Sequence, residues 1–201
     1  MSAMSGTLGR PFRRLERISR GRAGLVLVGV WAFAEAIAFP IIPDAAIGLL
    51  VLVVPRRLPA LFAALVAGAL AGTAALFALT LAAPDAVASM LVALPGIPPA
   101  MLDQAAAAVA SGDPLAVGFA SPGIPLKVYT YAWATGPAAL LPLMAGAVVN
   151  RVVRIGPGLA ALAALGLLAP RFLRRHDRLA TTVYVGSYVI AYPIYWTLVG
   201  A

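Results

Sequence analysis

The stretch Phe39–Asp44, FPIIPD, interrupts an apolar part of the chain, with AEAIA before it and AAIGLLVLVV after it. Its two prolines, Pro40 and Pro43, remove backbone donors and prevent a helix from continuing through the stretch. Glu35 lies one helical turn upstream, and Asp44 follows Pro43 directly. Because acids and helix breaks are costly in an apolar setting, this pattern predicts a broken helix that carries functional polar groups.

Composition places the chain in a membrane. It has 201 residues, of which 62% are hydrophobic and 11% are charged, and its mean hydropathy is +0.96. The apolar segments are too many for one water-soluble core, so we predict an all-α polytopic membrane protein. The chain has no cysteine, which excludes disulfides, thiolate chemistry and Cys-based metal sites.

The basic residues indicate orientation in a membrane. The formal net charge is +8, but the cations form short clusters between apolar runs, which is not typical of nucleic-acid binding. The segment RPFRRLERISRGR, residues 10–22, predicts a basic cytoplasmic N-terminal segment over residues 1–23. A twin-arginine export signal is the alternative, but no small-residue cleavage site follows and Glu35 interrupts the apolar core.

The apolar runs on either side of FPIIPD are short. Residues 24–39 and 45–54 would form helices of roughly 24 Å and 15 Å, less than the hydrocarbon thickness of about 30 Å. Arg56 and Arg57 follow the second run. If they share a side with the N-terminal cluster, the chain enters and leaves by one face. We therefore predict a re-entrant hairpin whose tip is FPIIPD.

Residues 58–83 form the clearest predicted membrane span. About 26 apolar residues would give a helix of roughly 39 Å. Gly68 and Gly72 have the small-xxx-small spacing that allows close helix contact, although an Ala-rich sequence also produces such spacings by chance.

A second proline-broken tip is predicted at residues 121–136, SPGIPLKVYTYAWATG. Residues 84–122 lack Lys and Arg, which favours an external location. Residues 104–120 and 134–149 would be the legs of a hairpin that enters from the side opposite to the first. Two opposed re-entrant hairpins are the pattern of an inverted repeat with its site near the midplane. Chance recurrence of prolines is the alternative.

Two topologies are open for the remainder of the chain. Residues 170–201 contain the basic cluster RFLRRHDR and a final apolar run of about 21 residues, long enough to span. Placing that cluster in the cytoplasm puts Arg151 and Arg154 at membrane depth, and this is the arrangement we favour. The opposite topology makes Arg151 and Arg154 cytoplasmic anchors. We predict a basic loop and a C-terminal transmembrane helix here.

Glu35 and Asp44 are the candidate proton-coupling residues. An intramembrane acid costs a few kcal/mol on insertion scales, so its presence favours a function. The alternative for Glu35 is a neutral carboxyl or a structural pair with an arginine, and for Asp44 it is a helix cap. Desolvation and mutual repulsion would give one of the two a proton that exchanges near neutral pH.

Lys127, Arg151 and Arg154 are the candidate substrate-binding residues. Lys127 is the only lysine and starts the leg after the second tip, where the helix dipole favours an anion such as phosphate. A salt bridge to Glu35 or Asp44 is the alternative. Arg151 and Arg154 share a helix face and would complete the anion site, unless they only anchor the chain.

Other motifs predict little chemistry. The aromatic stripe of Tyr184, Tyr188, Tyr192 and Trp196 would line a lipid path or, as we favour, pack in the bundle. His176 is the only histidine, and neither a zinc site nor a His-based triad assembles around it. There is no nucleotide-type Gly-rich loop. We predict no cofactor and no metal.

Three segments together resemble the DedA family, also called VTT or SNARE-associated membrane proteins. FAEAIAFPIIPDAAIGLLVL resembles its first re-entrant segment, SPGIPLKVYTYAWATG its second, and VVNRVVRIGPGLAAL the arginine-containing segment of short members. The resemblance covers residues 24–169 and identifies that range as a DedA-like membrane domain. Ile42 and Asp44 stand where members usually have proline and glutamate, Gly123 is inserted, and Leu126 replaces an aromatic residue.

The resemblance implies lipid translocation. It carries over Glu35, Asp44, Lys127, Arg151 and Arg154 as the polar set of the family. The expected function is a non-enzymatic, proton-coupled flippase for an anionic lipid, undecaprenyl or another polyprenyl phosphate, in the bacterial cytoplasmic membrane. Its partners would be membrane lipids and protons, with no nucleic acid and with a homo-oligomer allowed. An intramembrane lipid phosphatase and a non-catalytic membrane assembly protein are the alternatives.

Overall fold

The computed structural model describes residues 10–119 and 123–199. Within these ranges the chain consists of helices, turns and loops, without a strand, so the prediction of an all-α protein is confirmed. Two helical stretches, Pro55–Ala82 and Leu140–Leu168, are long and apolar enough to cross a membrane. By length and composition they suggest a membrane protein. Residues 1–9 of the basic N-terminal segment and Pro122 of the second tip lie outside the described residues.

The first hairpin consists of α2 (Arg22–Ile37) and α3 (Asp44–Val53), preceded by α1 (Arg10–Arg20). The chain leaves helix between the two because Pro40 and Pro43 cannot continue one, and Pro43 occupies the N-cap of α3. At the other end, the Arg57 guanidinium donates hydrogen bonds to the carbonyls of Ser19 at 3.1 Å and Arg20 at 2.9 Å. The start of α2 and the end of α3 therefore lie close together.

Helix α4 (Leu58–Ala82) packs closely along α2 and follows the 3₁₀ turn Pro55–Arg57. A Cβ atom added to Gly68 would collide with the Gly29 carbonyl, and one added to Gly72 would lie 2.5 Å from the Phe33 carbonyl oxygen. The small-xxx-small spacing is therefore a true helix contact, since only glycine lets the two backbones come this close.

Three short helices, each with a proline in its first turn, follow α4: α5 (Pro84–Val92), α6 (Pro99–Val109) and α7 (Pro114–Gly118). Helix α7 packs on the later helix α9 (Leu140–Arg154) through Gly146. A Cβ atom there would lie 2.5 Å from the Pro114 carbonyl oxygen. The predicted leg over residues 104–120 is thus wrong as one segment, because the turn after α6 divides it.

The second tip is shorter than predicted. Residues 126–135 form helix α8 (Leu126–Thr135), since no proline follows Pro125 until position 137. The predicted leg over residues 134–149 is also wrong at its start, because the chain leaves helix after Thr135 and α9 begins at Leu140. Helices α3 and α8 each have 10 residues and each begins directly after a proline.

The last helices are α10 (Gly156–Leu168), α11 (Pro170–Arg175) and α12 (Asp177–Val199). Helix α10 follows α9 after the single residue Ile155, and Pro157 lies in its first turn, where proline is tolerated. Leu173 of α11 packs with Phe12 of α1 and Leu52 of α3. The three basic clusters of the sequence therefore meet at one end of the molecule. Arg151 is buried and Arg154 is exposed, and the choice between the two topologies stays a prediction.

Candidate functional site

The two proline-broken tips are in contact with each other. Nζ of Lys127, in the first turn of α8, donates a hydrogen bond of 2.7 Å to the Phe39 carbonyl of the first tip. That carbonyl can accept because α2 has ended before Phe39 and no later turn of helix uses it. Lys127 is only 3% exposed. The single lysine of the chain thus joins one tip to the other, and the contact observed is not the salt bridge to Glu35 or Asp44 that was the alternative to anion binding.

Glu35 and Arg151 form a buried ion pair. The Nη2 atom of Arg151 lies 2.5 Å from Oε2 of Glu35, and the two residues are 5% and 3% exposed. A buried pair of this kind repays its desolvation only with close geometry and further hydrogen bonds. The Nε atom of Arg151 is buried without a hydrogen-bond partner among residues 10–119 and 123–199. The guanidinium therefore retains an unused donor.

Arg154 contacts the second tip. Its Nη1 atom donates a hydrogen bond of 2.9 Å to the Ile124 carbonyl. Arg151 and Arg154 are three positions apart on α9 and so share a helix face. The two arginines connect α9 to the first hairpin through Glu35 of α2 and to the second tip through its backbone.

Asp44 is the first residue of α3, and Pro43 holds the N-cap position proposed for it. A negative charge in this first turn is stabilised by the helix dipole. The Oδ2 atom of Asp44 accepts a long hydrogen bond of 3.4 Å from the Tyr188 hydroxyl. Its Oδ1 atom is buried and has no hydrogen-bond partner in the described part of the chain. Among the described residues, Asp44 thus keeps one carboxylate oxygen without a side-chain partner.

Tyrosines of α12 hold the backbone of both tips. Tyr184 donates a hydrogen bond of 2.8 Å to the Asp44 carbonyl, and Tyr195 donates one of 2.6 Å to the Gly123 carbonyl. The Tyr192 hydroxyl accepts one of 2.6 Å from the Ile42 amide. Bundle packing is therefore only part of the role of the aromatic stripe. The hydroxyls of Tyr192 and Tyr195 thus satisfy backbone groups of the tips that lie outside any helix.

A cavity of about 320 Å³ lies where the tips, α9 and α12 meet. All of the predicted proton-coupling and substrate-binding residues line it: Glu35, Asp44, Lys127, Arg151 and Arg154. It therefore brings together three cations and two acids in surroundings that are otherwise mostly apolar. Chemically, such a site can hold an anion and exchange a proton with a nearby carboxyl.

Sequence reasoning missed several residues of this site. Tyr195 and Asn150 both line the cavity, and the Asn150 amide donates a hydrogen bond of 3.0 Å to the Val117 carbonyl. The Trp31 indole donates one of 2.9 Å to the Ile41 carbonyl of the first tip. A usable signal existed: proline-broken tips leave backbone groups that need side-chain partners in an apolar setting. The side chain of Trp196 is not among those described.

The described residues include neither a group suited to metal binding nor a histidine at the cavity. The described residues contain no group of three or more His, Cys, Asp or Glu side chains placed to hold a metal ion. His176 is not among the cavity residues. Its ring packs against that of Phe172, and its Nδ1 atom lies 3.1 Å from the Phe172 carbonyl oxygen.

Comparison of the chain with protein-family models, curated proteins and solved structures finds no match. The resemblance to the DedA family therefore remains a prediction from sequence motifs.

Proposed function

We propose that this protein is an integral membrane transporter of the DedA type that moves an anionic lipid, undecaprenyl or another polyprenyl phosphate, between leaflets in a proton-coupled manner. The observation that carries the proposal is the cavity between the two tips. It collects three basic and two acidic side chains inside a chain that is otherwise strongly apolar.

The form of the first hairpin supports a re-entrant segment. Helices α2 and α3 have 16 and 10 residues, so each is shorter than the roughly 20 residues that a span requires. The hydrogen bonds of Arg57 keep the outer ends of the hairpin together. A chain that enters and leaves by one face has this geometry. Large apolar side chains on the outside, such as Leu141 at 82% and Leu168 at 85% exposure, suit contact with lipid.

The cations support an anionic headgroup as the ligand. A phosphate at membrane depth is stable only with charged hydrogen-bond donors around it, and guanidinium groups suit it best. Arg151 has an unused buried Nε donor, and Lys127 and Arg154 use backbone carbonyls that a phosphate oxygen would replace. The cavity volume falls within the range typical of small ligand sites and suits a headgroup, with the isoprenoid tail lying in the bilayer.

The acids support proton coupling. Glu35 and a bound phosphate would compete for the same guanidinium of Arg151. Protonation of Glu35 removes the charge that holds Arg151 and so frees the arginine for the phosphate. Proton binding and phosphate binding are coupled if both favour the state in which the ion pair between Glu35 and Arg151 is broken. Asp44, with its unused Oδ1, is the second carboxyl that can take a proton.

The phosphatase alternative lacks its nucleophile in this site. A phosphatase of the kind considered would use a histidine beside several cations. The described residues that line the cavity include no histidine. The assembly-protein alternative would not need buried acids and cations, and the variants below test it directly.

The test is reconstitution of the protein into vesicles with a labelled polyprenyl phosphate. Leaflet exchange is measured with and without a pH gradient. We expect exchange that a gradient accelerates, and we expect Glu35→Gln to remove the dependence on the gradient. Asp103→Asn, an exposed acid outside the cavity, is the matched control and should behave as wild type.

Three outcomes would reject the proposal. Release of free phosphate from the labelled lipid would favour the phosphatase. An assembly protein would be favoured if the wild-type protein showed no lipid exchange in vesicles and if cells with the Glu35→Gln/Asp44→Asn double variant behaved like wild-type cells. Equal loss of gradient dependence in Asp103→Asn would show that the effect is not specific to the cavity.

A further inference from the structure

A second cavity lies at the other end of α3, away from Asp44. It has a volume of about 370 Å³ and is formed by α1, the end of α3, the turn Pro55–Arg57, α10 and α11. None of the residues that line it lines the cavity between the tips. It is therefore a separate site, and the transport proposal gives it no role.

Arginines dominate the charge of this cavity. Arg20, Arg56, Arg57 and Arg174 line it, and Glu16 is the one acid among its described lining residues. These arginines come from three parts of the sequence that are far apart. Their meeting at one cavity is thus a product of the fold and not of a local run of basic residues.

Two of the four arginines are already in use. Arg20 binds Glu16 through Nε at 3.0 Å and Nη2 at 2.9 Å. Arg57 holds the carbonyls of Ser19 and Arg20. Arg56 and Arg174, in contrast, are exposed and have no hydrogen bond or ion pair within the described ranges. The cavity therefore offers two unused guanidinium groups next to two fixed ones.

The remaining wall of the cavity is apolar. Val53, Val54, Leu167 and Pro170 are among the residues that form it, and Leu167 is 55% exposed. Arginines beside an apolar wall at the end of a span suit a ligand with a charged phosphate and a hydrocarbon part. A free phosphate ion would contact the arginines but would make no favourable contact with the apolar wall. Basic pockets between membrane helices bind anionic lipid headgroups in this manner.

We propose that this cavity binds the phosphate headgroup of an anionic phospholipid, whose acyl chains lie along the exposed side of α10. The inference rests on the proposed function only in placing the chain in a membrane. The bound lipid is a resident of the site and not the cargo of the cavity between the tips. Phosphate is the chemistry recognised, and the experiment separates a lipid from the free ion.

The experiment compares matched arginine variants of the full chain in detergent micelles. Binding of phosphatidylglycerol is titrated by native mass spectrometry for wild type, Arg56→Gln/Arg174→Gln and Arg14→Gln/Arg178→Gln. The last variant removes the same charge from exposed arginines outside the cavity. At about 1 kcal/mol for each arginine near a membrane surface, the cavity variant should bind roughly 30-fold more weakly. The control variant should bind as wild type does.

Several results would overturn the proposal. Equal losses in the two double variants would show a diffuse charge effect. Equal binding of phosphatidylcholine would show that the site does not recognise the negative charge of the headgroup. Displacement of the lipid by millimolar inorganic phosphate, with equal affinity, would assign the site to a free anion.

A charge-conserving variant separates a lost contact from a lost fold. Arg56→Lys/Arg174→Lys should keep most of the affinity, because lysine also contacts phosphate as a point charge. Loss of binding in this variant without a change in its helical circular dichroism would also contradict the proposal. Because lipid binding is measured without transport, failure of this inference and failure of the proposed function give different results.

Discussion

Glu35 and Arg151 are 116 positions apart in sequence and form a buried ion pair, which joins the last turn of α2 to the last turn of α9. Breaking a buried pair by removing one partner leaves an uncompensated charge, which typically costs about 3–5 kcal/mol. This pair therefore links the first hairpin to the segment that carries both arginines of the site.

We expect Glu35→Gln and Arg151→Gln each to lower the free energy of unfolding by roughly 3 kcal/mol, and the double variant to lose less than the sum of the two. The measurement is denaturant unfolding of the purified protein in detergent, read as a double-mutant cycle. Strictly additive losses would contradict the pair as an energetic unit.

Lys127→Met should separate the two tips. The variant removes the hydrogen bond from Nζ to the Phe39 carbonyl, and bonds to a charged group contribute about 1.5–3 kcal/mol. We expect a loss of stability in that range and a loss of lipid exchange in the vesicle assay. Lys127→Arg keeps the charge and should recover part of the exchange. Wild-type exchange in Lys127→Met would exclude the lysine as a ligand of the phosphate.

The tyrosines of α12 should protect the tips from hydrogen exchange. In Tyr192→Phe the Ile42 amide loses its 2.6 Å hydrogen bond, so we expect that amide to exchange faster and stability to fall by about 0.5–1.5 kcal/mol. Tyr188→Phe removes the 3.4 Å contact with Asp44 but no hydrogen bond to Ile42, and it should leave the Ile42 amide unchanged. Equal effects of the two variants would show a general loosening of α12.

The close contact of α2 with α4 should not tolerate a methyl group. A Cβ atom at Gly68 meets the backbone of Gly29, which cannot move aside as a side chain can. We expect Gly68→Ala to lower stability by about 1–3 kcal/mol. Gly158→Ala is the control, since nothing lies within 4 Å of its added Cβ, and it should be neutral or stabilising. Thermal unfolding in detergent measures both.

The topology of the first hairpin can be tested with single cysteines, because the chain has none of its own. Gly21→Cys and Arg56→Cys, at the two outer ends of the hairpin, should react with an impermeant maleimide from the same side of sealed vesicles. Labelling from opposite sides would show that the segment between them crosses the membrane and would reject the re-entrant arrangement.

The sequence alone predicted the features that depend on local chemistry. Pro40 and Pro43 break a helix in any setting, so the break between α2 and α3 was predicted, and the predicted bounds of the two segments lie within two residues of the helices. The spacing of Gly68 and Gly72 allowed a helix contact or a chance spacing in an Ala-rich segment, and the structure shows the contact. The five candidate site residues also meet at one cavity, although their roles in transport stay predictions.

Features that depend on tertiary packing were not predictable in the same way. From the sequence, Glu35 could be protonated, paired with an arginine or paired with Lys127. Only the position of α9 in the fold makes Arg151 its partner. The partner of Lys127 is a backbone carbonyl. Every residue has such a carbonyl, so the types of the side chains could not indicate which one Lys127 would contact. The second tip was predicted to extend over residues 121–136, because the aromatic and polar residues of that stretch did not indicate the helix α8 that begins at Leu126.

The first hairpin is held at its base by Arg57 and at its apex by Lys127. A ligand that draws Lys127 away from Phe39 would remove one of the contacts at the apex, where Tyr192 and Tyr184 also bind the backbone, and would leave the base unchanged. If the proposed transport holds, binding of the headgroup would therefore loosen the apex of the hairpin while its base stays fixed by Arg57.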